Sequence, residues 1–290
     1  AKGASRVFNP YQFKAFSLVV RTVSFSAAAR AMGVSQSAVT QHVANLEYTV
    51  GVRLLIRARD GVQLTSTGQE FFDLADRYAV LDAVIDEKLR GYSEFSQGHL
   101  RIIANAPQPA LRLISKYAAL YPDVNIDFAL CDWTTAMELL KGQQTDIAIV
   151  TDPSKQDDWH YVPVCRARYV LYLLKDHPLA SRNTVSLHDL LPETLLLPET
   201  GSLTQRIVTG ALKKAGLTIR RIVKVTSFPV MKEAILEGLG VGVFLENSAQ
   251  KESQLHEVRI EELSQVHETS RVVPNYKLDL RLTQSFLRVL

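Results

Sequence analysis

A helical N-terminal head carrying a small hairpin, a long connecting helix and a body of alternating strands and helices is the fold class these 290 residues predict. Three observations predict it. Apolar residues recur at helical spacing from Tyr11 to Leu46, a heptad seam runs without proline through residues 69–95, and from Leu100 short alternating runs interleave with helix patterns. With 47% apolar and 22% charged residues the chain can bury a sizeable core, and its length suits about two domains.

The head opens with Pro10, which suits a first helical turn because its missing N–H would have no partner there. Residues 11–23 then place Phe13, Phe16, Val20 and Val23 on one helical face. Ser26 offers a hydroxyl to cap a second, alanine-rich helix, and Gly33 can end it by taking positive φ. Ser35 caps a third helix with Ala38, Val39, Val43 and Leu46 facing inward; helix, glycine turn, helix is helix-turn-helix geometry. Arg59-Asp60-Gly61, lying between β-prone runs at 52–57 and 62–64, predicts a hairpin wing. The long helix follows, with Phe71, Tyr78, Ile85 and Tyr92 at one seam position and Leu74, Leu81, Lys88 and Phe95 at the other. Such a seam needs a partner, and a second copy of the same helix is the simplest one.

The body reads as strand, helix, strand repeated. Strands are expected at 100–104, 124–130, 146–150, 169–174, 221–225 and 241–244, and helices at 109–121, 135–141, 203–215 and 230–237. That alternation predicts an α/β domain with mainly parallel pairing.

Composition excludes several classes. Two cysteines, Cys131 and Cys165, are too few for a disulfide scaffold and suit a reducing, cytoplasmic setting. No run of 18 or more apolar residues occurs and no secretory leader pattern opens the chain, so neither membrane contact nor export is expected. Seven histidines lack metal-ligand spacing, and no hydrolase, P-loop or dinucleotide motif is present, so neither enzyme chemistry, nor a metal, nor a cofactor is expected. Net charge of +3 hides a split: residues 1–66 hold eight Lys or Arg against Glu47 and Asp60, a net +6, leaving −3 for the rest. A basic head on a mildly acidic body suits a head that meets a polyanion.

The run Ser24-Phe-Ser-Ala-Ala-Ala-Arg-Ala-Met-Gly-Val-Ser-Gln-Ser-Ala-Val-Thr-Gln-His-Val-Ala-Asn-Leu-Glu47, with Gly51-Val-Arg-Leu-Leu-Ile-Arg57 and Val62-Gln-Leu-Thr-Ser-Thr-Gly68, resembles the N-terminus of LysR-type transcriptional regulators. Tyr121-Pro-Asp-Val124, Asp146-Ile-Ala-Ile149, His177-Pro-Leu179 and Gly238-Leu-Gly-Val-Gly242 continue the resemblance more loosely. It implies a winged helix-turn-helix at 8–67, a linker and dimerisation helix at 68–97, and at 98–290 an α/β effector domain of the type 2 periplasmic-binding-protein-like fold. Subdomain I would comprise 98–165 and 266–290, and subdomain II 166–265. The partners it implies are double-stranded promoter DNA, a small-molecule effector, a second copy of the chain through 68–97 with tetramers built from dimers, and RNA polymerase.

A recognition helix presents its N-terminal residues to base edges, here Gln36, Ser37, Thr40 and Gln41. Ser26 and Ser35 would offer donors to phosphates, and Arg53, Arg57 and Arg59 would contact the backbone, with Arg59 the candidate for the minor groove. Many family members carry Pro at the Ser37 position and Arg at the Gln41 position, so a different operator half-site is implied.

In the body, a cleft between subdomains would receive the effector. Asn105, Ala106 and Gln108 form one expected wall, and Thr200, Gly201, Ser202, Leu203, Thr204 and Arg206 the other, with Ser202 and Gln205 at capping-box spacing. Asp132, Thr151 and Phe228 lie at strand ends as weaker additions, as does Trp133, which is equally a packing aromatic. Two helix N-termini facing one cleft would suit a small organic anion such as a phosphonate, sulfonate or carboxylate. Residues 104–107 and 200–204 also resemble a subgroup associated with aminoethylphosphonate catabolism. Two alternatives stand beside this reading: a thiol redox switch through Cys131 and Cys165, and a solute-binding module with no role in transcription.

Overall fold

The computed structural model describes residues 9–58, 61–89, 98–249 and 251–289, which divide into two compact units. The first holds three helices, a wing and the long helix. Helix α1 (Pro10–Thr22) starts at Asn9, whose side chain accepts from the Tyr11 N–H. Its face buries Ala15, Phe16 and Val19, while Val23, expected on that face, sits past the helix end in a left-handed conformation and is exposed. Helix α2 (Phe25–Met32) starts earlier than expected. Ser24, not Ser26, caps it through Ala27, because Phe25 packs into the head core as the first helical residue. Gly33, at φ +66°, ends α2, and Ser35 caps α3 (Gln36–Val50) by accepting from Ala38. Val39, Val43 and Leu46 of α3 meet Phe16 and Val19 in one core.

Strands β1 (Leu55–Ala58) and β2 (Gly61–Leu64) pair antiparallel as the wing. Helix α4 (Ser66–Leu89) leaves it through a tight crossing, where a Cβ on Gly68 would lie 2.1 Å from the Leu54 carbonyl oxygen. Phe72 and Ala75 of α4 enter the head core, and fully buried Asp76 accepts from Arg21 of α1.

The second unit contains two sheets. The first lobe is built on β3 (His99–Ala104), α5 (Pro107–Leu120), β4 (Asn125–Leu130), α6 (Trp133–Lys141), β5 (Ile147–Thr151) and β6 (Trp159–Ala167). The second runs through β7 (Tyr169–Leu174), β8 (Thr184–Val185), β9 (Thr194–Pro198), α7 (Leu203–Ala215), β10 (Arg221–Val225), α8 (Phe228–Leu236), β11 (Val241–Leu245) and β12 (Leu255–Ile260). The chain then returns as β13 (His267–Pro274) and α9 (Arg281–Leu287). The strand orders are β4-β3-β5-β13-β6 and β10-β9-β11-β7-β12-β8, so the chain crosses between lobes at Arg168 and again between β12 and β13.

Pairing is mixed, not mainly parallel. β3 lies parallel to β4 and β5, but β13 runs antiparallel to β5 and β6, and β7 antiparallel to β11 and β12. The antiparallel strands are the ones that carry the chain between lobes: a strand arriving from the other sheet enters against the direction of the βαβ units. Among them β6, β12 and β13 escaped sequence reading, because their apolar and polar residues do not alternate regularly.

Two buried cations tie the first lobe together. Lys277, with no exposed side-chain surface, donates to Asp146 at 2.9 Å and to the Thr145 carbonyl. Arg271 of β13 donates to the carbonyls of Phe286 and Val289 and so closes the C-terminal end of α9; charge at a helix C-terminus complements the macrodipole.

Candidate functional site

On α3 the residues Gln36, Ser37, Thr40 and Gln41 are all exposed, while Val39, Val43 and Leu46 are buried behind them. Their positions i, i+1, i+4 and i+5 put them on one face at the N-terminal half of the helix. Local bonds hold this face in shape. Ser26 Oγ donates to Gln36 Oε1 at 2.8 Å, joining α2 to α3, and the Ser35 and Ser37 hydroxyls are 2.9 Å apart. Thr40 donates back to the Gln36 carbonyl, and Gln41 Nε2 donates to Asn45 Oδ1 at 2.8 Å. Arg53 is exposed at the entrance to the wing. Arg57 belongs to β1, and its side chain and all of Arg59 lie outside the described residues. His42 is half-buried and stacks on Tyr11, with ring centroids 6.3 Å apart.

The α4 seam divides into two parts. Phe72 and Ala75 face the head core and Val80 is buried, whereas Leu74, Leu81 and Ile85 are 57%, 56% and 48% exposed, with half-buried Tyr78 between them. Leu74, Tyr78, Leu81 and Ile85 follow one helical stripe. The Lys88 side chain, Tyr92 and Phe95 lie outside the described residues.

Between the two lobes lies a cavity of about 210 Å³. Asn105, Ala106, Gln108 and Thr151 line it from the first lobe, and Ser202, Leu203, Thr204 and Phe228 from the second. A smaller recess of about 130 Å³ shares Asn105, Ser202 and Phe228 and adds Asp132 and Thr200. Sequence reading missed other parts of the larger wall, among them Leu111, Tyr169, Tyr172, Lys232, Phe244 and Leu255. Tyr169 and Phe244 belong to strands read correctly as strands. Which end of a strand faces a second sheet is not written in local periodicity.

Three helix N-termini reach the larger cavity, at Ala106 of α5, Ser202 of α7 and the start of α8 after Ser227, and none has a side-chain cap bond. The expected Ser202–Gln205 capping box is absent, so the Ser202 hydroxyl is not spent on its own helix. Asn105 accepts from the Thr151 N–H at 3.1 Å, and the Thr151 and Thr269 hydroxyls lie 2.8 Å apart, both buried. Gln108, in extended conformation where α5 is interrupted, has a side-chain oxygen shielded from solvent with no protein partner.

Other expected lining residues do different work. Asp132 caps α6, accepting from Thr134, Thr135 and the Thr135 hydroxyl. Burial alone would raise its carboxyl, but these bonds outweigh it and hold it below the usual carboxylate range. Its bonding is directed to α6. Gly201 and Arg206 join the lobes instead of lining the cavity. Thr134 donates through N and Oγ1 to the Gly201 carbonyl, and the Arg206 guanidinium lies 4.2 Å from the Trp133 ring centroid. Trp133 is itself anchored by its indole N–H to the carbonyls of Thr151 and Asp152.

The cysteines do not form a pair. Cys131 follows β4 and Cys165 lies in β6, at opposite edges of the five-stranded sheet, which is about 19 Å at four strand spacings. They are half-buried and exposed respectively. Burial, with Asp132 adding to it, pushes the Cys131 thiol up to about 11, and burial also raises Cys165, so both stay protonated at neutral pH. Among the described residues no cluster of His, Cys, Asp or Glu could hold a metal, and no helix is long and apolar enough to cross a membrane.

An exposed helix-turn-helix face on one unit and a ligand-sized cavity between two lobes on the other define an effector-responsive DNA-binding protein. Comparison with known families agrees: residues 10–69 match the bacterial regulatory helix-turn-helix of the lysR family, and residues 93–290 match the LysR substrate binding domain. The chain belongs to the LysR family of DNA-binding transcriptional regulators. It is 31% identical over 247 residues to the uncharacterised HTH-type transcriptional regulator MJ0300 of Methanocaldococcus jannaschii, covering 82% of each chain. It is 29% identical over 236 residues to the HTH-type transcriptional regulator CfxR of Cupriavidus necator, covering 80% of this chain and 74% of that one. Its fold is that of a full-length OxyR point variant from Pseudomonas aeruginosa, at TM-score 0.80, 17% identity, and coverage of 97% of this chain and 94% of that one. These named relatives are regulators, not enzymes.

Proposed function

We propose that this regulator reads promoter DNA with the N-terminal half of α3 and is switched by a small organic anion held between the lobes of its body. What carries the effector reading is the convergence of the N-termini of α7 and α8, both without side-chain caps, on one cavity. The starts of α7 and α8 bring the positive ends of helix dipoles to the cavity, whereas Pro107 and Pro109 leave the start of α5 short of N–H donors, so it is the α7 and α8 ends that favour a carboxylate, sulfonate or phosphonate. Asn105, Thr151, Ser202 and Thr204 supply further polar groups on the same wall.

On the DNA side, Gln36, Ser37, Thr40 and Gln41 read base edges, with Ser26 and Ser35 near phosphates and Arg53, Arg57 and Arg59 on the backbone. The exposed stripe of Leu74, Tyr78, Leu81 and Ile85 pairs with its copy, giving a dimer through residues 68–97 from which a tetramer is built. Two heads so joined bind two half-sites, and effector binding shifts their relative placement and the bend they impose on DNA.

The test is a gel-shift titration of the full chain on its operator and on random DNA. Gln36→Ala and Thr40→Ala lower operator affinity by at least about tenfold and random-DNA affinity little; equal losses on both sink the base-reading role. Addition of 2-aminoethylphosphonate, acetate or ethanesulfonate at millimolar concentration tests the anion reading, through a change in operator affinity absent in Ser202→Ala. A response to the aminophosphonate alone supports the narrower subgroup reading.

A further inference from the structure

The wall of the interlobe cavity carries more information than the charge of its ligand. Tyr172, Phe244 and Phe228 form a continuous aromatic surface, with ring centroids 5.2 Å apart for the first two and 5.4 Å for the last two. Leu255 packs in the same cluster, and Leu111 and Leu203 also line the cavity. An apolar cavity of roughly 150 Å³ already admits a benzene ring, and this one holds about 210 Å³. A ligand of acetate or methylphosphonate size reaches the helix N-termini and leaves that apolar surface against water, which is the costly outcome.

The buried polar groups narrow the choice further. The Tyr172 hydroxyl is spent: it donates to Glu257 at 2.5 Å and accepts from Ala249. Lys232 is held by Glu252 at 2.7 Å, so it is not a free cation for the ligand. Gln108 is different. It lines the cavity, and its side-chain oxygen is out of solvent and has no donor in the protein. A buried acceptor without a donor is destabilising unless a ligand supplies one.

We infer that the effector is a monocyclic acid: a six-membered ring lying on the Tyr172–Phe244–Phe228 surface, an acidic group at the helix N-termini, and a hydroxyl or amino substituent donating to Gln108. This rests on the anion reading above and goes beyond it by assigning the ring and the donor. Ring acids of this kind are substrates or products of arene hydroxylation and ring-opening reactions, which the promoter under control would then serve.

The experiment is calorimetric titration of the full-length protein with the 2-, 3- and 4-hydroxybenzoates and aminobenzoates, benzoate, benzyl alcohol, acetate and methylphosphonate. At least one substituted ring acid binds about tenfold or more tighter than benzoate, and benzoate tighter than acetate or methylphosphonate. Gln108→Leu removes the preference over benzoate, and Phe244→Leu, chosen to keep the cavity filled, weakens all ring acids while leaving acetate unchanged. An unchanged urea-unfolding midpoint of the body verifies that each variant has folded. Acetate or methylphosphonate binding as tightly as every ring acid overturns the inference and leaves the anion reading standing. Benzyl alcohol binding as tightly as the hydroxybenzoates overturns the anion reading itself. Failure of all ring acids to bind, or an unchanged preference in Gln108→Leu, overturns the inference.

Discussion

Gly201 shows how a single residue can hold two lobes in register. Its φ of +103° is strained for any residue with a side chain, and a Cβ there would fall 2.7 Å from Asp132 Oδ1, the atom that caps α6. Gly201→Ala therefore disturbs the α6 cap and the Thr134 contact together. We expect a loss of about 1–3 kcal/mol from the body, measured by urea unfolding, while the head keeps its affinity for random DNA. Asp146 gives a pH-dependent case. Burial raises its carboxyl, but Lys277 and Arg101 outweigh that and hold it at about 2. A depressed folded value contributes stability above the unfolded value near 4, and that contribution is lost as pH falls through about 2. Wild type should thus exceed Asp146→Asn by about 2 kcal/mol or more at pH 6, with the gap closing between pH 4 and pH 2. A constant gap across that range would show that the carboxylate charge is not what matters.

Among the elements, α4 has one face in the head core and one that is open. Leu74 and Leu81 are more than half exposed, so replacing both with Glu leaves the fold intact and strikes only what covers the stripe. Sedimentation should then report a monomer at concentrations where wild type is dimeric; an unchanged dimer would move the interface elsewhere. The start of α3 is the second element to test. Ser35→Ala removes the cap on Ala38 and should lower head stability by about 1 kcal/mol in thermal unfolding. Sequence order predicted α1, α3, α4 and most of the βαβ units well, because each writes its own periodicity. It misplaced the cap of α2 by two residues, since the packing of Phe25 decides where that helix begins.

For the whole molecule, the +6 head and the −3 body predict a salt dependence confined to the head. If six phosphates are neutralised, DNA affinity should fall about a thousandfold between 50 and 200 mM salt, whereas the stability of the body should change little. A flat salt dependence on random DNA would argue against the basic head as the electrostatic footprint. The cysteines give the converse lesson about global structure. A redox pair of Cys131 and Cys165 is open on sequence grounds, yet the sheet order sets them on opposite edges, and no local reading could have shown that.

Residue order alone was enough for the helix-turn-helix, the heptad stripe and the two loops that meet at the cavity, because caps, glycine turns and apolar spacing act over a few residues. Asn105, Thr151, Ser202 and Thr204, expected at a cleft between subdomains, line the interlobe cavity. Only tertiary structure could turn Asp132 to its own helix, carry Arg206 onto Trp133 and bring Gln108 to the aromatic surface formed by α8, β7 and β11. Those contacts join segments far apart in the chain, and two antiparallel crossovers between the lobes determine which of them meet.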